Sequence, residues 1–388
     1  MIGFLALLIL RPGAIVLPEP SGPYPIGTRV FHLVDHARAD PVHPALPREI
    51  MIQCWYPATR KGNSKARYIP DTRLVHDLAK AGYYGQTAEQ LETWGWILTH
   101  ADLNASVRRG RHLPVLLLEP GLGMPRSNYT IYAEDLASRG YFIASIDPPY
   151  GGETTLPDGR RLSAGDDPVN GDPLKFPLRV HDWALDARFV LDALAGFNRA
   201  GSKSPIAGRL DLTAVGMFGH SMGGSAALEA TFVDPRIRAA IDLDGQPVGE
   251  SISKGLRVPS LAIRSDPNYS DADLAKLGRT RQQWTAMGEN GRVPWDELGQ
   301  KSKAPAISAA IRDTGHLSYS DAPFVMPSTI TRFSSHSLDP AKTLRVTLRL
   351  IDCFFGSVLL GRKCPLLDGR SQPIEGVTVT HASPKPGG

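Results

Sequence analysis

Residues 214–224, AVGMFGHSMGG, contain the pattern that most constrains how this chain can fold. An apolar run enters Gly219-His220-Ser221-Met222-Gly223, and the helix-forming Ser225-Ala226-Ala227-Leu228-Glu229-Ala230 leaves it. A serine on such a strand-to-helix hinge takes strained backbone angles so that its hydroxyl projects from the sheet edge. The residues two before and two after it must then lack side chains, and here both are glycine. The spacing therefore predicts a nucleophile elbow centred on Ser221. A Gly-rich turn with an idle serine would not need a strand before it and a helix after it.

A chain of 388 residues has room for one large α/β domain with insertions. With 42% hydrophobic and 21% charged residues it is neither a disordered nor a membrane-embedded composition. The net charge of +4 is spread along the chain without basic clusters interleaved with aromatics, so no nucleic-acid partner is expected. Three cysteines do not make a disulfide scaffold. Cys54, inside the strand-like EIMIQCWY, reads as a small buried hydrophobe, while Cys353 and Cys364 flank a helix end and can pair in an oxidising compartment. The apolar run Ile2 to Leu10 is too short to span a bilayer. It reads as a partial export signal, so a secreted or periplasmic location is expected, with the cytoplasm as the alternative.

Strand-like runs recur at Arg29–Val34, Ile50–Tyr56, Val115–Leu118, Tyr141–Ile146, Ala214–Phe218, Ala239–Leu243, Ser260–Arg264 and Ala306–Ile311. Between the later runs lie amphipathic helical patterns, the clearest at Tyr129–Arg139 and His181–Leu194, and Asp339-Pro340 marks the start of a further helix reaching Phe355. This alternation predicts a mostly parallel sheet covered on both faces. Three insertions, roughly 57–112, 150–178 and 266–304, leave the strand ends where a site would form. Trp94, Trp96, Trp284 and Trp295 lie in the first and third, as pocket walls or as ordinary packing.

A serine hydroxyl needs a base to take its proton, and the base needs an acid to fix its tautomer. In the chain order Ser, acid, His that an elbow of this kind implies, the base follows Ser221, and His316 and His336 are the candidates. His316 comes directly after the strand-like AISAAIRDTG, whereas His336 sits in a polar Ser-Ser-His-Ser loop, so His316 is the expected base. For the acid, Asp244 and Asp266 each end a strand, and pattern alone does not separate them. Asp242 lies deeper in its strand and reads as a buried polar contact. The backbone N–H of Met222, after the nucleophile, and that of Leu122, in Glu119-Pro120-Gly121-Leu122-Gly123-Met124, are the candidate oxyanion donors.

Over about residues 20–375 the chain resembles the platelet-activating factor acetylhydrolase family, particularly its microbial lipase-like members. The resemblance rests on Gly22-Pro-Tyr-Pro-Ile-Gly27, Cys54-Trp-Tyr-Pro57, Pro120-Gly-Leu-Gly123, Glu134-Asp-Leu-Ala-Ser-Arg-Gly-Tyr141, Gly219-His-Ser-Met-Gly-Gly224, Leu243-Asp-Gly245, Gly315-His316 and Pro365-Leu-Leu-Asp-Gly369. It implies an α/β-hydrolase domain over 20–375, preceded by the apolar segment 1–19 and followed by a tail over 376–388. It implies further that Asp244 rather than Asp266 is the acid and that Leu122 and Met222 bind the oxyanion. A serine carboxylic-ester hydrolase follows, acting on a small-molecule or lipid ester through an acyl-enzyme, with transient contact to a lipid surface, no cofactor and no metal. A polyester hydrolase, a thioesterase and an inactive binding module on the same fold are the alternatives. Animal members resemble Ser-His-Gly-Leu-Gly at the oxyanion loop. Glu119-Pro120 replaces the Ser-His there, so their substrate preference does not carry over.

Overall fold

Short β-branched and apolar runs closed by Gly, Pro and Asp form the strands β1 (Ile26–Ala39), β2 (Pro47–Pro57), β3 (Lys65–Arg67), β4 (Leu98–Leu103), β5 (Leu113–Glu119), β6 (Phe142–Asp147), β7 (Thr154–Thr155), β8 (Arg161–Leu162), β9 (Leu210–His220), β10 (Ile237–Leu243), β11 (Ser260–Asp266), β12 (Ala306–Arg312) and β13 (Val377–Ala382). The computed structural model describes residues 15–327, 339–367 and 374–382, apart from 61, 63, 111 and 277. The apolar run before Ile15, His336 and Asp368-Gly369 lie outside the described residues.

Eleven strands make one sheet in the order β13-β12-β11-β10-β9-β5-β6-β2-β1-β4-β3. The six from β12 to β6 run parallel. β13 closes one edge antiparallel to β12, and β2 is antiparallel to both β6 and β1. This is the α/β-hydrolase architecture. Leaving β5 the chain passes first to β6 on one side, then returns to β9 on the other, so β5 and β9 flank the point where the strand order reverses. In open α/β sheets ligands gather there, beyond the carboxyl ends of the strands.

Both sheet faces are buried, as the sequence of β5 demands. Leu116 and Leu118 enter one core with Ile241, Leu243 and Phe355, while Val115 and Leu117 enter the other with Ala184, Ala187 and Leu191. Each such side chain contributes about 1.5–3 kcal/mol over its exposed state. Helix Pro340–Leu360 starts where the sequence marks it, with the Asp339 carboxylate accepting from the Ala341 N–H. It lies so close to β9 that a Cβ on Gly216 would stand 2.5 Å from Phe355 Cε1. Helix Thr130–Ser138 differs from its amphipathic reading, since all of its residues are buried. Its outer face is covered by chain from elsewhere: Glu134 accepts from the His100 and Ala101 N–H groups, and Asp135 from the Ser21 N–H.

The insertions build structure of their own. The first adds β3 and β4 to the sheet, the second carries the β7–β8 hairpin, and the third forms helices Asp271–Lys276 and Arg281–Lys301. Within the stretch read from the sequence as a tail, Val377–Ala382 form a sheet strand, because Val377 and Val379 pack on the core beside β12. Cys353 and Cys364 form a disulfide, and Cys54 is a buried free thiol. No helix among the described residues is long and apolar enough to cross a membrane.

Helix Phe176–Asn198 is tied to β2 by a buried bidentate pair, with Arg48 Nε and Nη2 at 2.6 and 2.7 Å from the Asp186 carboxylate oxygens. Removing one partner leaves the other charge uncompensated in the interior. Asp186→Ala is therefore expected to lower unfolding free energy by about 3–5 kcal/mol. Asp158→Ala, which breaks an exposed contact to Arg160, is expected to leave the urea midpoint where it was.

Candidate active site

Four loops at the carboxyl ends of β5, β9, β10 and β12 carry the residues singled out by the sequence. Ser221 ends β9 with φ 55° and ψ −121° and caps helix Met222–Val233. The glycines on either side are required by contact. A Cβ on Gly219 would lie 2.3 Å from the Gly223 carbonyl carbon, and one on Gly223 would lie 2.3 Å from the Glu119 carbonyl oxygen. The Ser221 N–H donates to the Leu243 carbonyl at 2.9 Å, which joins the elbow to the end of β10.

At that end Asp244 turns out of the sheet with φ 58°. Gly245 lets the turn close, since a Cβ there would meet the Ser221 carbonyl oxygen at 2.3 Å. The Asp244 carboxylate accepts from the Ser265 N–H at 2.7 Å, from Ser265 Oγ at 2.8 Å, and faces His316 Nδ1 at 2.8 Å. Burial pushes this carboxyl upward, but the hydrogen bonds from His316 and Ser265 outweigh it and hold it below the usual carboxylate range. Asp266 also borders the cavity, yet His316 Nδ1 faces Asp244. Asp242 is fully buried, accepts from the Gly245 N–H and has its carboxyl driven well above the usual range by burial.

His316 follows β12 through Asp313, whose φ is 59°, and opens a single turn over His316–Tyr319. Its ring is half exposed, whereas Asp244 is 14% exposed. With Nδ1–H donated to Asp244, the lone pair of Nε2 is free to accept a proton. Ser221, Asp244 and His316 line one cavity of about 770 Å³.

The oxyanion loop has most of its amides committed. Gly121 N–H donates to Tyr129 Oη at 2.9 Å and Gly123 N–H to the Gly151 carbonyl at 2.6 Å. Among the described residues neither the Leu122 nor the Met222 N–H has a protein acceptor, and both residues line a second cavity of about 420 Å³ with Phe176 and Gln246. Phe176, Met222 and Gln246 border both cavities.

The four tryptophans separate. Trp284 and Trp295 line the Ser221 cavity, where Tyr269 meets Trp284 edge to face at 4.9 Å between centroids. Trp94 is buried among Tyr68 and Tyr83, and Trp96, 67% exposed, lies under Arg67. Sequence reasoning missed Ser265, which anchors Asp244, and the buried pair Tyr129 and His220 behind the loops. His220 was within reach, being the variable residue of the elbow itself, whereas Tyr129 carries no local signal. No group of three or more His, Cys, Asp or Glu able to hold a metal occurs among the described residues.

Residues 12–148 and 199–359 match the family described as platelet-activating factor acetylhydrolase, isoform II. A probable 1-alkyl-2-acetylglycerophosphocholine esterase of Arthroderma benhamiae is 28% identical over 63% of this chain, which spans 62% of that relative's length. A bis(hydroxyethyl) terephthalate hydrolase of Streptomyces coelicolor is 29% identical over 39% of this chain and 38% of its own length. The solved structure of a ferulic acid esterase from Streptomyces cinnamoneus superposes with a TM-score of 0.74 at 28% identity, covering 94% of this chain and 99% of that one.

The Asp244 contacts set the sign of a pH effect. A carboxyl held below its unfolded value of about 3.9 contributes stability above that pH, and loses it as pH falls through the lower folded value. Asp244→Asn lacks this component, so between neutral pH and about pH 3 its urea midpoint is expected to fall less than that of the unchanged protein. Parallel curves for the two proteins would show that these hydrogen bonds do not favour the charged form.

Proposed function

The chain belongs to the platelet-activating factor acetylhydrolase, isoform II, family, and from that membership we propose that it is a serine carboxylic-ester hydrolase working through Ser221, His316 and Asp244. The observation that carries the reading is the 2.8 Å contact between Asp244 and His316 on the cavity that Ser221 also lines. Ser221 Oγ attacks the ester carbonyl while His316 Nε2 takes its proton. The Leu122 and Met222 N–H groups receive the charge that develops on the carbonyl oxygen. His316 then returns the proton to the departing alkoxide, leaving an acyl group on Ser221. Water repeats the sequence, giving its proton to His316 and releasing the acid. Asp244 stays ionised, holds the Nδ1–H tautomer and stabilises the imidazolium. The chain's own groups supply nucleophile, base and oxyanion donors, so no cofactor enters the scheme. The Cys353–Cys364 disulfide supports an oxidising location, secreted or periplasmic.

An ester of an aromatic acid is the substrate class that the cavity favours. Tyr269, Trp284 and Trp295 offer an aryl group edge-to-face and stacked contacts beside Ser221. Two proteins to which the chain is similar are named for esters of aromatic acids, ferulic and terephthalic. Methyl ferulate and bis(hydroxyethyl) terephthalate are expected to be better substrates than a 1-alkyl-2-acetylglycerophosphocholine. Trp284→Ala is expected to raise KM for the aryl esters about tenfold, the loss of roughly 1.4 kcal/mol, while sparing tributyrin. An equal loss on all substrates would remove the aryl reading and leave the esterase reading standing.

Ser221→Ala is expected to abolish turnover, and an organophosphonate to label Ser221 by mass spectrometry. Asp244→Asn presents the wrong hydrogen-bond partner to His316, and its kcat is expected to fall by about ten-thousand-fold, as for the equivalent change in serine proteases. Asp266→Asn is expected to stay within about twofold, as for a surface change outside the triad. A severe Asp266 variant beside a mild Asp244 variant would reverse the assignment of the acid.

A further inference from the structure

We propose that His220 and Tyr129 are a positioning pair that couples the oxyanion loop to the loop of the base, an inference that rests on the triad reading above. His220 is the residue before the nucleophile, and its side chain is buried and lies outside the lining of the Ser221 cavity. Its Nε2 is 2.8 Å from the His316 carbonyl oxygen and its Nδ1 is 2.8 Å from Tyr129 Oη. Tyr129 Oη in turn receives the Gly121 N–H at 2.9 Å.

The proton positions follow from what each group can do. A carbonyl only accepts, so His220 Nε2 must carry the hydrogen and Nδ1 must be the acceptor. The Tyr129 hydroxyl accepts from Gly121 and has one proton to give. Met124 Sδ lies at 3.2 Å, but a thioether is the weaker acceptor, so that proton goes to His220 Nδ1. One directed chain results: Gly121 N–H to Tyr129, Tyr129 O–H to His220, His220 Nε2–H to the His316 carbonyl. Burial, with the neighbouring His316 adding to it, pushes His220 down to about 3, so the neutral ring this chain needs persists through the working pH range.

The chain reaches both halves of the reaction centre. At one end it occupies the Gly121 amide, while the next one, Leu122, has no protein acceptor among the described residues and its residue lines the smaller cavity beside Met222. Gly121 itself must be glycine, because a Cβ there would stand 2.9 Å from His220 Nδ1. At the other end it grips the backbone of the base, and the His220 and His316 ring centroids lie 4.5 Å apart with the rings tilted by 42°. Oxyanion donors and general base must both be held within a fraction of an ångström, and a misplacement of about 1 Å costs about a hundredfold.

The test compares Tyr129→Phe, His220→Leu, His220→Gln and the Tyr129→Phe/His220→Leu double variant on a p-nitrophenyl ester, with melting temperature recorded for each. Tyr129→Phe removes one oxygen and is expected to lower kcat about tenfold, and His220→Leu about a hundredfold, each with KM within about threefold, the pattern of an interaction that acts on the transition state. The rate of Ser221 phosphonylation is expected to fall in step. His220→Gln, which keeps a donor for the His316 carbonyl, is expected to recover part of the His220→Leu loss. Because both changes cut one chain, the double variant is expected to be no slower than His220→Leu alone. Losses that multiply in the double variant, or variants that lose only melting temperature and keep kcat, would overturn the proposal. If His220→Leu does not fold, Tyr129→Phe and His220→Gln decide on the same readouts. Activity that survives Ser221→Ala identifies instead a failure of the triad reading, separate from any result on the relay.

Discussion

The backbone of Ser221 is the constraint on which the rest of this site depends. At φ 55° and ψ −121° it sits where side-chain-bearing residues are rarely found, at a cost of about 1–3 kcal/mol. The conformation persists because β9 and helix Met222–Val233 pull from opposite sides and β5 closes over the hinge. The Glu119 and Pro120 carbonyls pack where a Gly223 side chain would go, so relaxation of the elbow would have to displace the oxyanion loop as well. Nucleophile and oxyanion loop are thus one mechanical unit. Asp244, at the end of β10, and Asp313, just before His316, also have positive φ, so strain recurs at the ends of β9, β10 and β12.

Asp242 and Asp244 show how environment separates two carboxyls of one strand end. Asp242 points beneath the elbow, where its Oδ2 has no partner among the described residues and burial drives its carboxyl well above the usual range. Asp244 points outward and gains Ser265 and His316, which keep the proton off. A second charged carboxylate two residues away would compete for the same imidazolium. The carboxylate that His316 meets is that of Asp244, at 2.8 Å.

This division explains what could be read from the residues and what could not. The elbow is legible because a strained hinge imposes glycine at two fixed offsets, and His316 because chain order leaves few candidates. Asp244 and Asp266 look alike in one dimension, since each ends a parallel strand. What distinguishes them is the turn at φ 58° and the Ser265 amide from the neighbouring strand, a partner 21 residues away in sequence. β13 escaped notice because this edge strand has only half-buried and exposed positions over six residues and needs β12 to define it. Helix Thr130–Ser138 looked amphipathic because its polar residues face chain segments rather than water, and no local pattern reveals that Glu134 will meet the amides of β4.

The insertions divide the labour that the bare fold leaves undone. Phe176 from the second, and Tyr269, Trp284 and Trp295 from the third, form the walls where substrate would lie. The first insertion works from behind: Asn128 donates to Tyr83 Oη at 2.8 Å and Trp94 Nε1 to the Val325 carbonyl at 3.3 Å, so its aromatics brace the segments that carry Tyr129 and follow His316. Substitutions in the second and third insertions can therefore reshape the cavity while Ser221, Asp244 and His316 keep their geometry. Changes in the first act on the segment that carries Tyr129, which receives the Gly121 N–H, and among the described residues no aromatic of that insertion borders the Ser221 cavity.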